Sequence, residues 1–489
     1  MRTLVIVSKR ADWPLEIGGV EVVLAREYLT DPTWTKERGV RVFNLCRSYR
    51  YQSEGYYASL LAAARNHRPF PGLMTVLDMK SRALVRTVDE ELDQLIQRSL
   101  AGIRSDRFEL SVYFGKNTAK RYDRLAHQLF TQFPAPLFRA VFQGGGRWRL
   151  ASLATIAFRG VPESHVDFVQ NAARAYFSRP HFLTRARRGP RYDLAILHDP
   201  HEALAPSDPK ALRRFRAAAE RVGFGVEMIG RDDYARLAEF DALFIRETTA
   251  VDHHTFRFSQ RAQAEGLVVI DDPQSILRCT NKVFQSEALE LRGIPTPRTI
   301  ITDRADAEEI ERRIGFPCVL KHPDSAFSQG VIRCATPDEL MWHSARILAE
   351  SDLLLVQEFA PSEYDWRVGV LAGRALYACR YRMAPGHWQI VKRTNSGRYR
   401  YGRVEAVPLE GVPRRVVRTA LKAANAIGHG LYGVDLKELG RRVVVMEVND
   451  NPNIDAGFED TIPKDELYRA IMEEFLVRVE EKKQRGNGR

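Results

Sequence analysis

The stretch Tyr432-Gly-Val-Asp-Leu-Lys-Glu438, then Leu439-Gly-Arg441, then Arg442-Val-Val-Val-Met-Glu-Val-Asn449 decides how this chain is read. Both arms have strand composition and a glycine sits between them, so they form a hairpin. With the turn centred on Arg441, Asp435 stands opposite Glu447. Alternation then puts Glu447 and Asn449 on one face and Val444, Met446 and Val448 on the other. The apolar face belongs on a core, and the opposite face gathers two carboxylates and an amide oxygen. Like charges facing across a strand pair are destabilising unless something neutralises them. Oxygen ligands of this hardness suit Mg²⁺, which is commonly shared with the phosphates of a nucleotide. The competing reading is an exposed acidic strand pair with Lys437 as its neighbour; the donor set favours the metal.

Upstream pieces would serve such a site. Lys282 follows Asn281 at the start of a helix over 283–291, which closes at Gly293 before Ile-Pro-Thr-Pro297. Lys321 ends the apolar run Cys318–Leu320, a lysine at the end of a strand, and 323–330 reads as a loop before a strand over 331–334. A buried strand over 353–356 leads into Gln357-Glu358-Phe359, which could present backbone groups to a base edge.

Residues 191–280 alternate short apolar runs (194–197, 226–229, 242–245 and 267–270) with helical stretches (210–222, 235–240 and 253–266). That alternation predicts a small parallel α/β sheet. Its first strand ends in His198-Asp199-Pro200-His201. Pro200 interrupts the histidine pair and no third ligand follows nearby, so a substrate-facing loop is expected there rather than zinc. Residues 1–180 open with the strand-like run Leu4–Val7 and include a helical pattern over 90–100. Gln143-Gly-Gly-Gly146 lies between two strand-like runs and reads as a hairpin turn, not a phosphate loop. The cluster Arg185–Pro190 reads as an exposed connector, and Glu480–Arg489 as a frayed charged tail.

Composition bounds the partners. The 489 residues are 44% hydrophobic and 28% charged, with five scattered cysteines and no Cys-x-x-Cys pair. Ordinary globular domains in a reducing, cytoplasmic compartment are expected, without a membrane span, secretory leader or disulfide framework. Cys318 and Cys379 read as buried small hydrophobes. Residues 1–190 hold 30 Lys and Arg against 17 Asp and Glu, whereas the remainder holds 44 against 45, so the formal charge of +12 resides in the first part. A positive domain implies an acidic counterpart: nucleic acid, an acidic peptide, or an acidic face elsewhere on the protein.

Taken in order, Asn281-Lys282, Gly293–Pro297, Val319-Leu-Lys321, Val356-Gln-Glu-Phe359, Asp365-Trp-Arg367, Gly433-Val-Asp435 and Val445-Met-Glu-Val-Asn449 with Asn451-Pro452 resemble the ATP-grasp fold. The closest resemblance is to RimK-like and glutathione-synthase-like carboxylate–amine ligases. Residues 191–280 resemble the α/β domain preceding the grasp, and the basic N-terminal part resembles the extra domain of a long RimK-like subgroup. The resemblance implies four segments: a basic N-terminal domain at 1–185, a pre-grasp domain at 186–280, the ATP-grasp domain at 281–480 and a charged tail at 481–489. It also implies that Lys282 and Lys321 hold nucleotide phosphates, with Gln357, Glu358 and Phe359 at the adenine and Glu358 as the hydrogen-bonding residue there. Asp435, Glu447 and Asn449 would bind two Mg²⁺ ions, with Mn²⁺ as a substitute, and Arg367 would face the acyl phosphate or the acceptor carboxylate. Two stretches depart from the family. The loop Ser325-Ala-Phe-Ser-Gln-Gly330 has a single glycine, so the hydroxyls of Ser325 or Ser328 are candidates for the phosphates. RimK's Arg-Ser-Asn segment is replaced by His387–Arg393, so Lys392 and Arg393 are candidates for orienting the substrate.

The expected chemistry is ATP-dependent activation of a carboxylate as an acyl phosphate, then capture by an amine. An amino acid such as glutamate would be joined to a peptide, a protein terminus or a small amine. The expected partner is an amino-acid or acidic peptide or protein substrate. An ATP-grasp kinase that stops at phosphoryl transfer and a nucleotide-gated RNA- or ribosome-binding module are the alternatives. Nucleic acid is the lesser expectation, no membrane partner is expected, and a homo-oligomer is left open.

Overall fold

β1 (Arg2–Val7) is apolar and fully buried from Leu4 to Val7, as a strand covered on both faces must be. In the computed structural model, which describes residues 2–37, 39–65, 67–79, 90–178, 190–324, 330–393 and 399–485, it is central in a parallel sheet. That sheet runs β2 (Val20–Leu24), β1, β3 (Val40–Asn44), β4 (Arg68–Phe70). An antiparallel meander of β5 (Arg107–Tyr113), β6 (Leu137–Gln143) and β7 (Arg149–Thr155) follows. The three glycines after Gln143 form the β6–β7 turn, and Gly145 and Gly146 take φ of +135° and +90°. Both sheets share one core: Phe43 and Phe70 lie 5.9 and 6.3 Å from Tyr176, on the helix Val166–Phe177, which closes this unit.

The middle unit is a parallel sheet, as its alternation predicts. The order is β11 (Val268–Ile270), β10 (Ala242–Ile245), β8 (Tyr192–Leu197), β9 (Phe224–Ile229). Helix Pro209–Arg221 starts at Asp208, whose carboxylate accepts from the Ala211 N–H at 2.6 Å. The short helix expected at 235–240 is instead a 3₁₀ helix over Arg231–Glu239.

Two antiparallel sheets complete the chain. The first has the order β12 (Thr299–Thr302), β15 (Leu354–Glu358), β13 (Cys318–Lys321), β14 (Val331–Cys334). Helices Ala307–Arg313 and Pro337–Leu348 cover it, burying Ile310, Leu340 and Ile347 with Leu320 and Val356. The second has the order β20 (Val404–Val407), β17 (Arg374–Arg382), β16 (Tyr364–Leu371), β21 (Leu431–Leu439), β22 (Arg442–Asp450). Helix Arg414–Ile427 lies on it through Val416 and three alanines at 420, 423 and 424, small residues that let helix and sheet approach. A separate strand pair joins β18 (Val391–Arg393) and β19 (Tyr399–Tyr401).

The final helix, Asp465–Arg485, packs on the middle unit, with Tyr468 on Phe215 at 4.7 Å and Phe475 on Phe244 at 5.5 Å. The tail expected to fray from 480 is therefore helical to 485, and Glu480 pairs with Arg191 at 2.6 Å. The connector Arg185–Gly189 lies outside the described residues. All five cysteines are buried. Among the described residues no helix is long and apolar enough to cross a membrane.

Candidate active site

Asp435 stands opposite Glu447, but by a different route from the one a uniform hairpin gives. The turn centres between Gly440, at φ +62°, and Arg441, so Leu439 pairs with Arg442 and Leu436 with Val445. A bulge at Met446 then restores the Asp435–Glu447 pairing. The extra residue switches phase. Val443, Val445 and Val448 face the helix-covered core, correcting the expected set of Val444, Met446 and Val448.

Neighbouring cations hold the two carboxylates. Arg367, directly across from Asp435 on β16, grips it with Nε–Oδ1 and Nη2–Oδ2 contacts of 2.7 Å each. Asn449 donates Nδ2 to the same carboxylate at 3.1 Å. Burial works to lower the Arg367 pKa, and the Asp435 charge outweighs it, so the guanidinium stays firmly charged. Glu447 pairs with Lys282 at 3.2 Å. The neutraliser that charge repulsion demanded is thus, in part, this pair of cations.

Local structure explains how Lys282 arrives there. Asn281 caps the helix Lys282–Glu290, its side chain accepting from the Phe284 N–H at 2.9 Å. Gln285, one turn on, clamps this helix to β22 by donating to the Val448 carbonyl at 3.0 Å and accepting from its N–H at 2.8 Å. Lys437 points the same way as Asp435, two residues along the strand; it pairs with Asp365 and reaches Ser362 Oγ at 2.6 Å. Lys321, at the end of β13, lies in the same field as Glu447, Lys282, Lys437 and Asp365. Burial, aided by the two other lysines, pulls its pKa down to about 8.

At the segment expected to meet adenine, Gln357 donates to Thr299 Oγ1 at 3.0 Å. The Glu358 carboxylate is taken by Arg298 at 2.6 Å, with Arg442 at 3.6 Å, and its N–H donates to the Arg298 carbonyl at 2.9 Å. Burial would raise this carboxyl, yet the Arg298 bonds hold it below the ordinary range. Expected as the hydrogen-bonding residue, Glu358 has its side chain and N–H committed to Arg298. The Phe359 ring lies 5.7 Å from Trp388 and 5.0 Å from the Arg333 guanidinium. Ser325 and Ser328 fall outside the described residues, and Lys392 and Arg393 lie on β18, whose side chains are not described.

Sequence reasoning missed Gln285 and Arg246, and treated Lys437 only as a neighbouring charge. Arg246, fully buried at the end of β10, donates to Ser207 Oγ at 2.8 Å, Asn451 Oδ1 at 2.7 Å and the Pro452 carbonyl at 2.9 Å. It pins the turn after Asn449 to the middle sheet. The one sequence signal was a charge directly after an apolar strand.

Mg²⁺ fits the chemistry of the donor set. Asp435, Glu447 and Asn449 offer hard oxygens, and among the described residues no group of three His, Cys, Asp or Glu side chains gathers. Two carboxylates and an amide must borrow further oxygens, as Mg²⁺ sites do from substrate phosphates.

Comparison with known proteins identifies the family. Residues 25–172 match the RimK-like ATP-grasp N-terminal domain and residues 279–468 the RimK-like ATP-grasp domain, together more than half of the chain. The chain belongs to the RimK-like ATP-grasp family. Similar proteins include a probable alpha-L-glutamate ligase of Teredinibacter turnerae, 28% identical over 298 residues, 56% of this chain and 95% of the relative. The alpha-aminoadipate–LysW ligase LysX of Saccharolobus solfataricus is 27% identical over 253 residues, 48% of this chain and 86% of the relative. Among solved structures, a D-alanine–D-alanine ligase from Bacillus anthracis complexed with ATP aligns with 60% of this RimK-like chain and 99% of its own, with 16% identity and a TM-score of 0.47.

Proposed function

We propose that this RimK-like protein is an ATP- and Mg²⁺-dependent carboxylate–amine ligase, forming ADP and joining an amino acid such as glutamate to a peptide, protein terminus or small amine. The observation that carries the reading is the convergence of Lys282 on Glu447 and Arg367 on Asp435 across one strand pair, with Lys437 on Asp365 beside them and Lys321 in the same field. A probable alpha-L-glutamate ligase and an alpha-aminoadipate–LysW ligase among the relatives support the substrate class.

In this reading Lys282 and Lys321 grip nucleotide phosphates, and Phe359 with the backbone beside Gln357 and Glu358 meets the base. Asp435, Glu447 and Asn449 hold Mg²⁺, which when bound supplies positive charge beside the phosphate oxygens during phosphoryl transfer. Glu447 would hold the ion in place of Lys282, which would leave the Lys282 ammonium for the phosphates. A substrate carboxylate oxygen bonds to the γ-phosphorus as the bond to the ADP oxygen breaks. The amine nitrogen next bonds to the acyl carbon, loses its proton, and inorganic phosphate leaves. Arg367 has Nε and Nη2 on Asp435, so Nη1 is the nitrogen positioned for the acyl phosphate or its oxyanion. Lys392 and Arg393 orient the carboxylate.

The test is ADP release with Mg²⁺-ATP across a panel of amino acids and acidic peptides, with mass spectrometry of the products. Release that requires an amine, and a product one residue heavier, is expected. ADP release with no amine dependence and a phosphorylated product would replace the ligase with a kinase.

A further inference from the structure

Away from the grasp carboxylates, a cleft of about 590 Å³ lies between the N-terminal and middle units. That volume falls within the range of about 300–1,000 Å³ usual for ligand sites. Arg98 and Arg124 line it from helices Glu90–Leu100 and Asp123–Gln132, and Arg231 and Arg257 line it from the opposite side. All four are exposed at its walls, and Asp232 is the one carboxylate among the lining residues.

We propose that this cleft is the docking site for an acidic peptide segment, and that the N-terminal unit exists in part to form it. Three observations favour a peptide. The Arg98 and Arg124 guanidinium forks match carboxylates bidentately, giving a ligand with spaced carboxylates the best fit. Two buried polar atoms in the lining, Thr131 Oγ1 and Gln132 Oε1, have no partner in the protein, and both can accept the backbone N–H groups of a peptide. Phosphate groups offer no such donor, and along a nucleic-acid backbone only the 2′-hydroxyls of RNA do. Of the Tyr and Phe rings at the cleft, Phe258 is buried, and Tyr234 packs edge-on against it at 5.1 Å with the Arg261 guanidinium 5.7 Å from its centroid, a poor platform for stacked bases.

The cleft also connects with the reaction centre. His254, in its lining, bonds to Glu247 at 2.6 Å, and the Glu247 carbonyl accepts from Asn451, two residues beyond the metal-ligand candidate Asn449. A segment seated between Arg98 and Arg257 therefore lies on a hydrogen-bonded path to the turn that Arg246 pins. The assignment of this peptide as the acceptor rests on the ligase reading; the binding itself does not.

The experiment measures fluorescence anisotropy of a labelled penta-glutamate peptide with the full chain, alongside ADP release with the same peptide and an amino acid. R98E/R124E should weaken peptide binding at least tenfold, with Mg²⁺-ATP affinity and the thermal transition unchanged. Gln132→Leu, which keeps the charge, should weaken it severalfold. Wild-type affinity in R98E/R124E, or no peptide binding by the unaltered protein, overturns the proposal. So does an oligouridylate of equal charge that binds as tightly and is lost in the same variant. Peptide binding that depends on Arg98 and Arg124 without any amine-dependent ADP release would keep the cleft and overturn the ligase reading alone.

Discussion

Two regions of this molecule bring opposite charges together, and they differ in what surrounds the pairs. Between the N-terminal and middle units, Arg41 meets Asp193 at 2.8 Å and Arg68 pairs with Asp241, the Arg41 and Asp241 side chains being only 2% and 3% exposed. In the grasp, Glu447 faces Lys282 with 32% of its side chain exposed, and Lys321 and Lys437 crowd the same field. The first set is sealed and docks one unit on another. The second is open on one side and holds more cations than its carboxylates need. Breaking a sealed pair strands a charge in a dry place, whereas an open pair can trade its partner for a ligand. Part of the positive charge of the N-terminal unit is thus spent within the chain, on acids of the middle sheet.

The contrast breaks most easily at the open site. Glu447→Ala should reduce ADP release about a hundredfold or more, the scale of losing one pre-organised electrostatic contact in a reacting centre, while the thermal transition stays in place. Wild-type turnover in that variant would remove Glu447 from the site. The sealed site should respond the opposite way. Asp241→Ala takes the nearer carboxylate from buried Arg68, leaving Asp193 at 3.5 Å, and takes the partner from Lys483; a loss of up to about 3–5 kcal/mol is expected in urea unfolding, with ADP release per folded molecule retained. Lost turnover at unchanged stability would make that interface part of the reaction.

A smaller effect comes from Lys321, whose pKa lies at about 8. Near that pH the amine is half protonated, and phosphates alongside would restore the charge. Nucleotide binding should therefore take up a fraction of a proton, more at pH 9 than at pH 7, and affinity should fall as pH rises through 8. Calorimetry in two buffers of different ionisation heat reads this directly, and Lys321→Arg should abolish it. The smallest change is expected at Arg298→Ala. Arg298 is 61% exposed where it meets Glu358, so its pair is worth at most about 1 kcal/mol, and the nucleotide KM should move less than severalfold.

How much of this was legible in the sequence differs by element. The parallel middle sheet was readable because each strand is a short apolar run between helical stretches. The pairing of Asp435 with Glu447 was also readable, although the bulge at Met446 was not, since a slip of one residue leaves no mark when five of the flanking residues are apolar. Gln285 and Arg246 were invisible. A glutamine one turn into a helix, or an arginine after a strand, says nothing until the partner carbonyls 163 and 206 residues away are folded beside them. Glu358 was expected to serve the adenine because its partner, Arg298, lies 60 residues earlier.

By itself the sequence determined the class of fold, the order of its units, and the set of residue types at the grasp: two lysines, two carboxylates, an asparagine and an arginine. The α/β alternation and the carboxylate hairpin follow from local periodicity, which acts over a few residues; the grasp and the roles of its lysines and arginine follow from the resemblance carried by its ordered motifs. Only the tertiary structure decided which cation holds which carboxylate, that the final helix returns to the middle sheet, and that the basic N-terminal unit turns two arginines inward while others line a cleft. Those outcomes depend on pairings between distant residues, whose energies exist only once burial has fixed what each charge can reach.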